Sequence, residues 1–198
     1  MKTFICVCQG LTPLLMHRFD EEVELEQTTR KVHIQRIDPR EAAEKVAYRT
    51  ADGHLFLPGS AIARMLREAG AAHKQRGSRK SLKYIMPAAV LVLEDQIVLR
   101  DIEGNPLTEF EVDSRAVVIP STKGRVMRHR PRLNLWNIEF TLEVDDEMID
   151  PTTVHQLIQE GGRKLGLLDY RPEKGGAFGR FQATSWAVLQ QKLMQAAE

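Results

Sequence analysis

The sequence predicts one α+β domain over residues 1–198, built on an antiparallel sheet with a few short helices. Three observations carry this. Residues 136–144 alternate strictly, Trp136, Ile138, Phe140, Leu142 and Val144 against Asn137, Glu139, Thr141 and Glu143, as in a half-buried antiparallel strand. Two pairs, Asp38-Pro39 and Asp150-Pro151, each set a cap residue and a first-turn proline ahead of a helical apolar period. Strand and helix candidates interleave along the chain with no internal repeat and no low-complexity linker. A chain of 198 residues buries a core without disulfide or metal staples. With 42% hydrophobic and 28% charged residues, disordered and collagen-like classes are excluded.

Residues 2–9 read as the opening strand, broken by Gly10. Cys6 and Cys8 share one of its faces and read as buried small hydrophobes, since no Cys or His neighbour completes a zinc set. Residues 12–18 form an apolar turn. Residues 20–37 are polar and aperiodic, and are expected to be a flexible loop. The first helix starts at the Asp38 cap, with Glu41 in the capping-box position, and runs to Tyr48. Asp52-Gly53 turns the chain into a short strand over 54–57. Pro58-Gly59-Ser60 opens the second helix with Ser60 as cap, a buried stripe of Ile62, Met65, Leu66 and Ala69, and Arg64, Arg67, Ala71 and Lys74 on another face.

Residues 74–84, basic and containing Gly and Ser, are expected to be a second flexible loop. Residues 89–94 and 97–100 are apolar runs joined at Asp95-Gln96, and 116–119 is a further strand. Residues 125–130 and 136–144 are expected to pair through a turn at 131–135. A helix follows from Asp150 through Val154, Leu157 and Ile158 to about Leu165, then a glycine-rich segment to Gly179. A returning strand at 178–186 and an amphipathic tail helix at 187–197 end the chain. No apolar run approaches the ~18 residues of a membrane span. The opening residues are too soon interrupted for a signal peptide, so the expected compartment is the cytoplasm.

Lys+Arg 28 against Asp+Glu 27 leaves a formal +1. That balance hides segregation. Between residues 64 and 83, seven bases (Arg64, Arg67, Lys74, Arg76, Arg79, Lys80, Lys83) face one acid, Glu68. Residues 123–132 carry Lys123, Arg125, Arg128, Arg130 and Arg132 and no acid, while acids collect at 20–26 and 143–150. Such clustering suggests one electropositive surface, or else two solvated loops of compensating charge.

Residues 161–181 interleave six glycines with Arg163, Lys164, Arg171, Lys174 and Arg180 and with Tyr170, Phe178 and Phe181. Glycine lets backbone amides approach phosphate, the bases add charge, and aromatic faces stack unpaired bases. The segment has no phosphate-loop signature. It follows a helix and precedes a strand, the reverse of a dinucleotide fingerprint. A tight turn made for structure alone is the other reading. On the preceding strand, alternation puts Arg128, Arg130 and Arg132 on one face and Arg125, Met127 and His129 on the other. Three arginines on one face either pair with acids, of this chain or of a neighbour, or face a polyanion. Guanidinium geometry favours phosphate. The candidate nucleic-acid contacts are Arg64, Arg67, Lys123, Arg125, Arg128, Arg130, Arg163, Lys164, Tyr170, Arg171, Lys174, Phe178 and Arg180. Phe181, in the returning strand, reads as core. The six histidines (His17, His33, His54, His73, His129, His155) share no metal spacing, and no catalytic motif is visible. No catalytic residue, metal or cofactor is assigned.

Gly10-Leu11-Thr12-Pro13-Leu14, Leu57-Pro58-Gly59-Ser60-Ala61-Ile62-Ala63-Arg64 and the glycine-rich loop together resemble the RAMP superfamily of CRISPR proteins. Leu168 stands where that loop would carry a further glycine. The resemblance implies a ferredoxin-like core, kin to the RNA recognition motif, with helices on one sheet face and inserted β-rich and basic loop segments. It implies RNA contact by the helix start and the late loop. It also implies subunits that coat single-stranded nucleic acid, RNA foremost, as a head-to-tail oligomer beside other CRISPR-type subunits, away from membranes. Pro13–His17, Arg125–Pro131, Asp169–Pro172 and Phe178–Phe181 resemble in addition a family of small uncharacterised phage and prophage proteins. Two alternatives stay open. RAMP endoribonucleases use an early histidine beside such a loop, which would make His17 or His33 a general base toward a ribose 2′-hydroxyl. A protein-only assembly module would use the segregated charge for subunit contacts alone.

Overall fold

The chain, in a computed structural model that describes residues 1–18, 38–75, 77–118 and 124–189, opens with strands β1 (Lys2–Gly10) and β2 (Leu14–Leu15). Helix α1 (Pro39–Lys45) is capped by Asp38, whose carboxylate accepts the Arg40 amide at 2.6 Å. Strand β3 (Phe56–Pro58) runs straight into helix α2 (Gly59–Ala69). Helix α3 (Met86–Ala89) leads to β4 (Val90–Val92), β5 (Gln96–Val98), β6 (Glu111–Val118), β7 (Arg125–Leu133) and β8 (Asn137–Val144). Helix α4 (Pro151–Lys164), capped by Asp150, precedes β9 (Phe181–Val188).

The main sheet has the order β4-β8-β1-β9, antiparallel throughout. Read with its helices, the core runs β1-α2-β4-β8-α4-β9, so its four strands lie fourth, first, third, second across the sheet from β9. This is the ferredoxin-like arrangement, and the fold is α+β. Cys6 stands opposite Phe140 on one side and Trp186 on the other, which sets one face of the sheet. Phe4, Cys6, Cys8, Ile138, Phe140, Leu142 and Val144 on that face are buried, in one cluster with Ile62, Met65 and Leu66 of α2 and Val154, Leu157 and Ile158 of α4. Each Val, Leu, Ile, Met or Phe side chain among them contributes ~1.5–3 kcal/mol by leaving water. The strict alternation of 136–144 is this burial. The Trp136 indole, buried at the end of the stripe, donates to the Thr12 carbonyl at 2.9 Å. Both cysteines are free and buried, and burial pushes the Cys8 thiol well up. No helix among the described residues is long and apolar enough to cross a membrane.

Two smaller sheets are inserted, β2-β7-β6 and β3-β5. They correct several expectations. Strand β7 does not pair with β8: it lies between β6 and β2, because both edges of β8 are taken by β1 and β4. The apolar runs read at 89–94 and 97–100 go to different sheets, β4 joining β8 and β5 joining β3. Ser60 is not the cap of α2. Pro58 holds that position with no side-chain bond, and the Gly59 amide donates to the Asp95 carbonyl at 2.9 Å. Helix α1 stops at Lys45 rather than Tyr48, and β6 begins at Glu111, well before residue 116. Helix α2 passes into a 3-10 turn at Gly70, so Lys74 does not extend its basic face; Lys74 bridges to Ser81, and Leu82 beside it is buried. The loop over 20–37, Lys123 and residues 190–197 of the expected tail helix lie outside the described residues, and residues 187 and 188, read as the start of that helix, are the end of β9.

Candidate nucleic-acid interface

The segment after β1, the start of α2 and the glycine-rich loop are distant in sequence and meet around a cleft of about 330 Å³. Its walls include His17, Ser60, Arg64, Asp169, Arg171 and Glu173. Main-chain bonds make the meeting. The Gly179 amide donates to Pro13 at 2.8 Å, the Leu167 amide to Gly179 at 2.9 Å, and the Asp169 amide to Leu15 at 3.1 Å. Gly179 has φ 68, and a Cβ there would stand 2.1 Å from the Leu167 carbonyl oxygen. Only glycine closes the loop this tightly. Gly59 is equally constrained, since its Cβ would lie 2.0 Å from the Glu94 carbonyl oxygen. The glycine-rich segment is thus a tight structural turn and also a wall of the cleft.

The candidate residues divide by what already holds them. Arg130 is buried, and its guanidinium lies 2.7 Å from Asp169. This corrects its reading as an open phosphate contact: it pins β7 to the loop. Arg171 also faces inward, bonding Glu173 at 2.7–2.8 Å and the Leu168 carbonyl at 2.5 Å. Phe178 is buried and has no free face for a base, a second correction, while Phe181 is fully buried as expected of core. Arg67 is tied to Glu68, which also holds Lys83, and Lys164 is tied to Glu160. These carboxylates are held below their usual range by the cations beside them.

The remaining bases are more open. Arg64 is half-exposed over the cleft, 3.6 Å from Glu173. Arg125, Arg163, Lys174 and Arg180 are exposed, and Arg180 donates to the Arg163 carbonyl at 2.9 Å. Arg128 donates to His17 Nε2 at 3.1 Å. An arginine is always a donor, so Nε2 is the acceptor there and His17 carries its proton on Nδ1. That contact occupies the nitrogen a general base in the cleft would use. His33 lies outside the described residues. Among the described residues no group of three or more His, Cys, Asp or Glu could hold a metal.

One residue escaped the sequence reading. Arg115 lies opposite Arg128 in the β6–β7 register, its guanidinium 4.6 Å above the Phe178 ring and 5.9 Å from the Tyr170 ring. Buried Asp113 accepts from it at 2.7–3.0 Å, which raises the guanidinium pKa above its usual value. The available signal was Asp113-x-Arg115, an acid and a base two apart on one face of a strand.

No protein-family model matches the chain, and no curated protein matches it. Among solved structures it is similar to a chain in the cryo-EM structure of the Type III-B Cmr-beta bound to cognate target RNA. The TM-score is 0.56 at 12% identity, covering 94% of this chain and 60% of that one. This chain therefore spans about three fifths of that relative's length. Weaker similarities are to a chain of a Type IV-B CRISPR complex (TM-score 0.49, 12% identity, 94% of this chain and 91% of that one) and to Cmr6 from Pyrococcus furiosus (TM-score 0.43, 12% identity, 92% and 98%). The expected likeness to phage and prophage proteins finds no support in the family and curated comparisons. What the first similarity establishes, together with the strand order, is the fold alone: α+β and ferredoxin-like.

Proposed function

We propose that this protein binds single-stranded RNA as a subunit of a CRISPR-type effector complex, successive copies coating the strand head to tail. One observation carries the reading: two of the segments that resemble the RAMP superfamily, the start of α2 and the glycine-rich loop, line one cleft with Arg64 and His17 in its wall and Arg128 bonded to His17, while the third, Gly10–Leu14, is bonded to that loop through Pro13. Arg64 and Arg128, with exposed Arg125, Lys174 and Arg180, are the phosphate contacts. Arg130 and Arg171 hold the cleft's walls in place. The backbone charge of a single strand suits such a set, and phosphate contact carries no sequence preference. RNA is favoured because the similar chain belongs to a complex bound to target RNA. The acids at 143–150 meet a basic surface of the neighbouring copy, a heterologous contact that propagates.

The test is the 260/280 nm absorbance of the purified protein before and after a high-salt wash, with RNase and DNase digestion of what is released. Salt-released, RNase-sensitive material supports the proposal. Protein that is free of nucleic acid and yet forms large assemblies refutes it in favour of a protein-only module.

A further inference from the structure

Tyr170 combines two unfavourable features. It is an exposed aromatic residue, at 42% relative exposure, and its φ of 48 lies in the left-handed region that glycine and asparagine favour. Among the described residues only Leu168, two positions earlier, is another non-glycine with positive φ. Non-glycine residues held this way gather at ligand-binding sites, where the surrounding structure over-determines them.

Arg115 sits next to that ring in an equally fixed state. Asp113, itself buried, holds it by three contacts at 2.7–3.0 Å, and Phe178 backs it at 4.6 Å. Its side chain nonetheless remains 40% exposed. Since Asp113 already meets its charge, Arg115 offers a ligand a flat face rather than an uncompensated cation. Arg128, directly across the ribbon, has no carboxylate within ion-pairing distance among the described residues.

We propose that Arg115 and Tyr170 form a stacking site for one unpaired nucleobase of the bound strand, with Arg128 taking the adjoining phosphate. The proposal rests on the RNA-binding reading above and deepens it. A base fits because its flat face matches both the guanidinium plane and the phenol ring, and because the neighbouring Arg128 cation suits the phosphate joined to it. Phe178 contributes from behind: its ring, 6.0 Å from that of Tyr170 and buried, sets the spacing of the two exposed groups.

The experiment uses the full chain and fluorescence anisotropy on two labelled strands, a single-stranded oligoribonucleotide and the same backbone made abasic. Wild type is compared with Arg115→Lys, which keeps a cation for Asp113 but loses the plane, and with Tyr170→Ala. Wild type should bind the abasic strand about 5- to 150-fold more weakly, the span for loss of one stacked base. Each variant should show that loss on the ordinary strand, little more on the abasic one, and an unchanged salt dependence. Thermal melts establish that both variants are folded. Variants that keep the wild-type preference for the strand with bases overturn the stacking site. So does a wild type that binds both strands equally. A wild type that binds neither strand at low salt overturns the RNA-binding reading itself.

Discussion

Arg130 and Arg128 lie two apart on one strand face, yet opposite consequences are expected of losing them. The Arg130 side chain is 8% exposed, and its guanidinium lies 2.7 Å from the carboxylate of Asp169, whose side chain is 33% exposed. Removing one partner of a buried pair costs ~3–5 kcal/mol, because the other charge stays behind uncompensated. Water reaches a third of Asp169, so the loss for Arg130→Ala sits at the low end, ~3 kcal/mol. At roughly 2–4 °C per kcal/mol for a chain of this size, Tm should fall by about 6–12 °C. Exchanging both partners for apolar residues of similar volume should restore most of this. Arg128→Ala removes a half-buried side chain with one bond to a neutral histidine, and should cost ~1 kcal/mol or less. Its effect belongs to binding: the slope of log K against log salt should flatten by about 0.7, the share of one single-strand phosphate contact. Thermal unfolding and anisotropy across a salt series measure both quantities on both variants. If Arg130→Ala melts like wild type and flattens the salt slope as Arg128→Ala does, Arg130 faces the strand and the division drawn here is wrong.

Gly59→Ala should lower stability by ~1–3 kcal/mol, since its Cβ would press on a backbone carbonyl that cannot rotate away, and a melt comparing it with wild type measures this. Glu44 is held below the usual carboxylate range by its hydrogen bond with Arg49, so the stability it contributes is present above its unfolded pKa and lost as pH falls through the folded one. Glu44→Gln should therefore flatten the acid limb of the stability profile in an acid titration, by under ~1 kcal/mol for so exposed a pair. With a long single strand, electron microscopy should show rods whose length follows the strand, and a monodisperse monomer under those conditions counts against head-to-tail assembly. His17→Ala should leave no metal-independent RNA cleavage to lose; cleavage that disappears with it would make the protein an endoribonuclease.

The parts of the fold legible in the sequence are those fixed by local chemistry. The Asp38 and Asp150 caps, the alternation of 136–144 and the stripe Ile62, Met65, Leu66 and Ala69 each follow from neighbours within a few residues, and each stands as read. Partnership was not legible. Nothing near Arg125–Leu133 says that β6 and the two residues of β2, far behind it in sequence, are its neighbours rather than β8, a few residues ahead. The same blindness explains Arg130, whose carboxylate is 39 residues away in a loop read for its glycines and bases. Phe178 looked like a stacking ring because composition does not tell an exposed aromatic from the one behind it. Tyr170 and Arg115 are the exposed pair that Phe178 supports.

The central claim is a single-stranded nucleic acid held chiefly through phosphates, and a salt titration of affinity tests it most directly. With three to five contacts from Arg64, Arg125, Arg128, Lys174 and Arg180, log K should fall with log salt at a slope of about −2 to −4. An affinity that does not change with salt, or no binding at low salt, contradicts it.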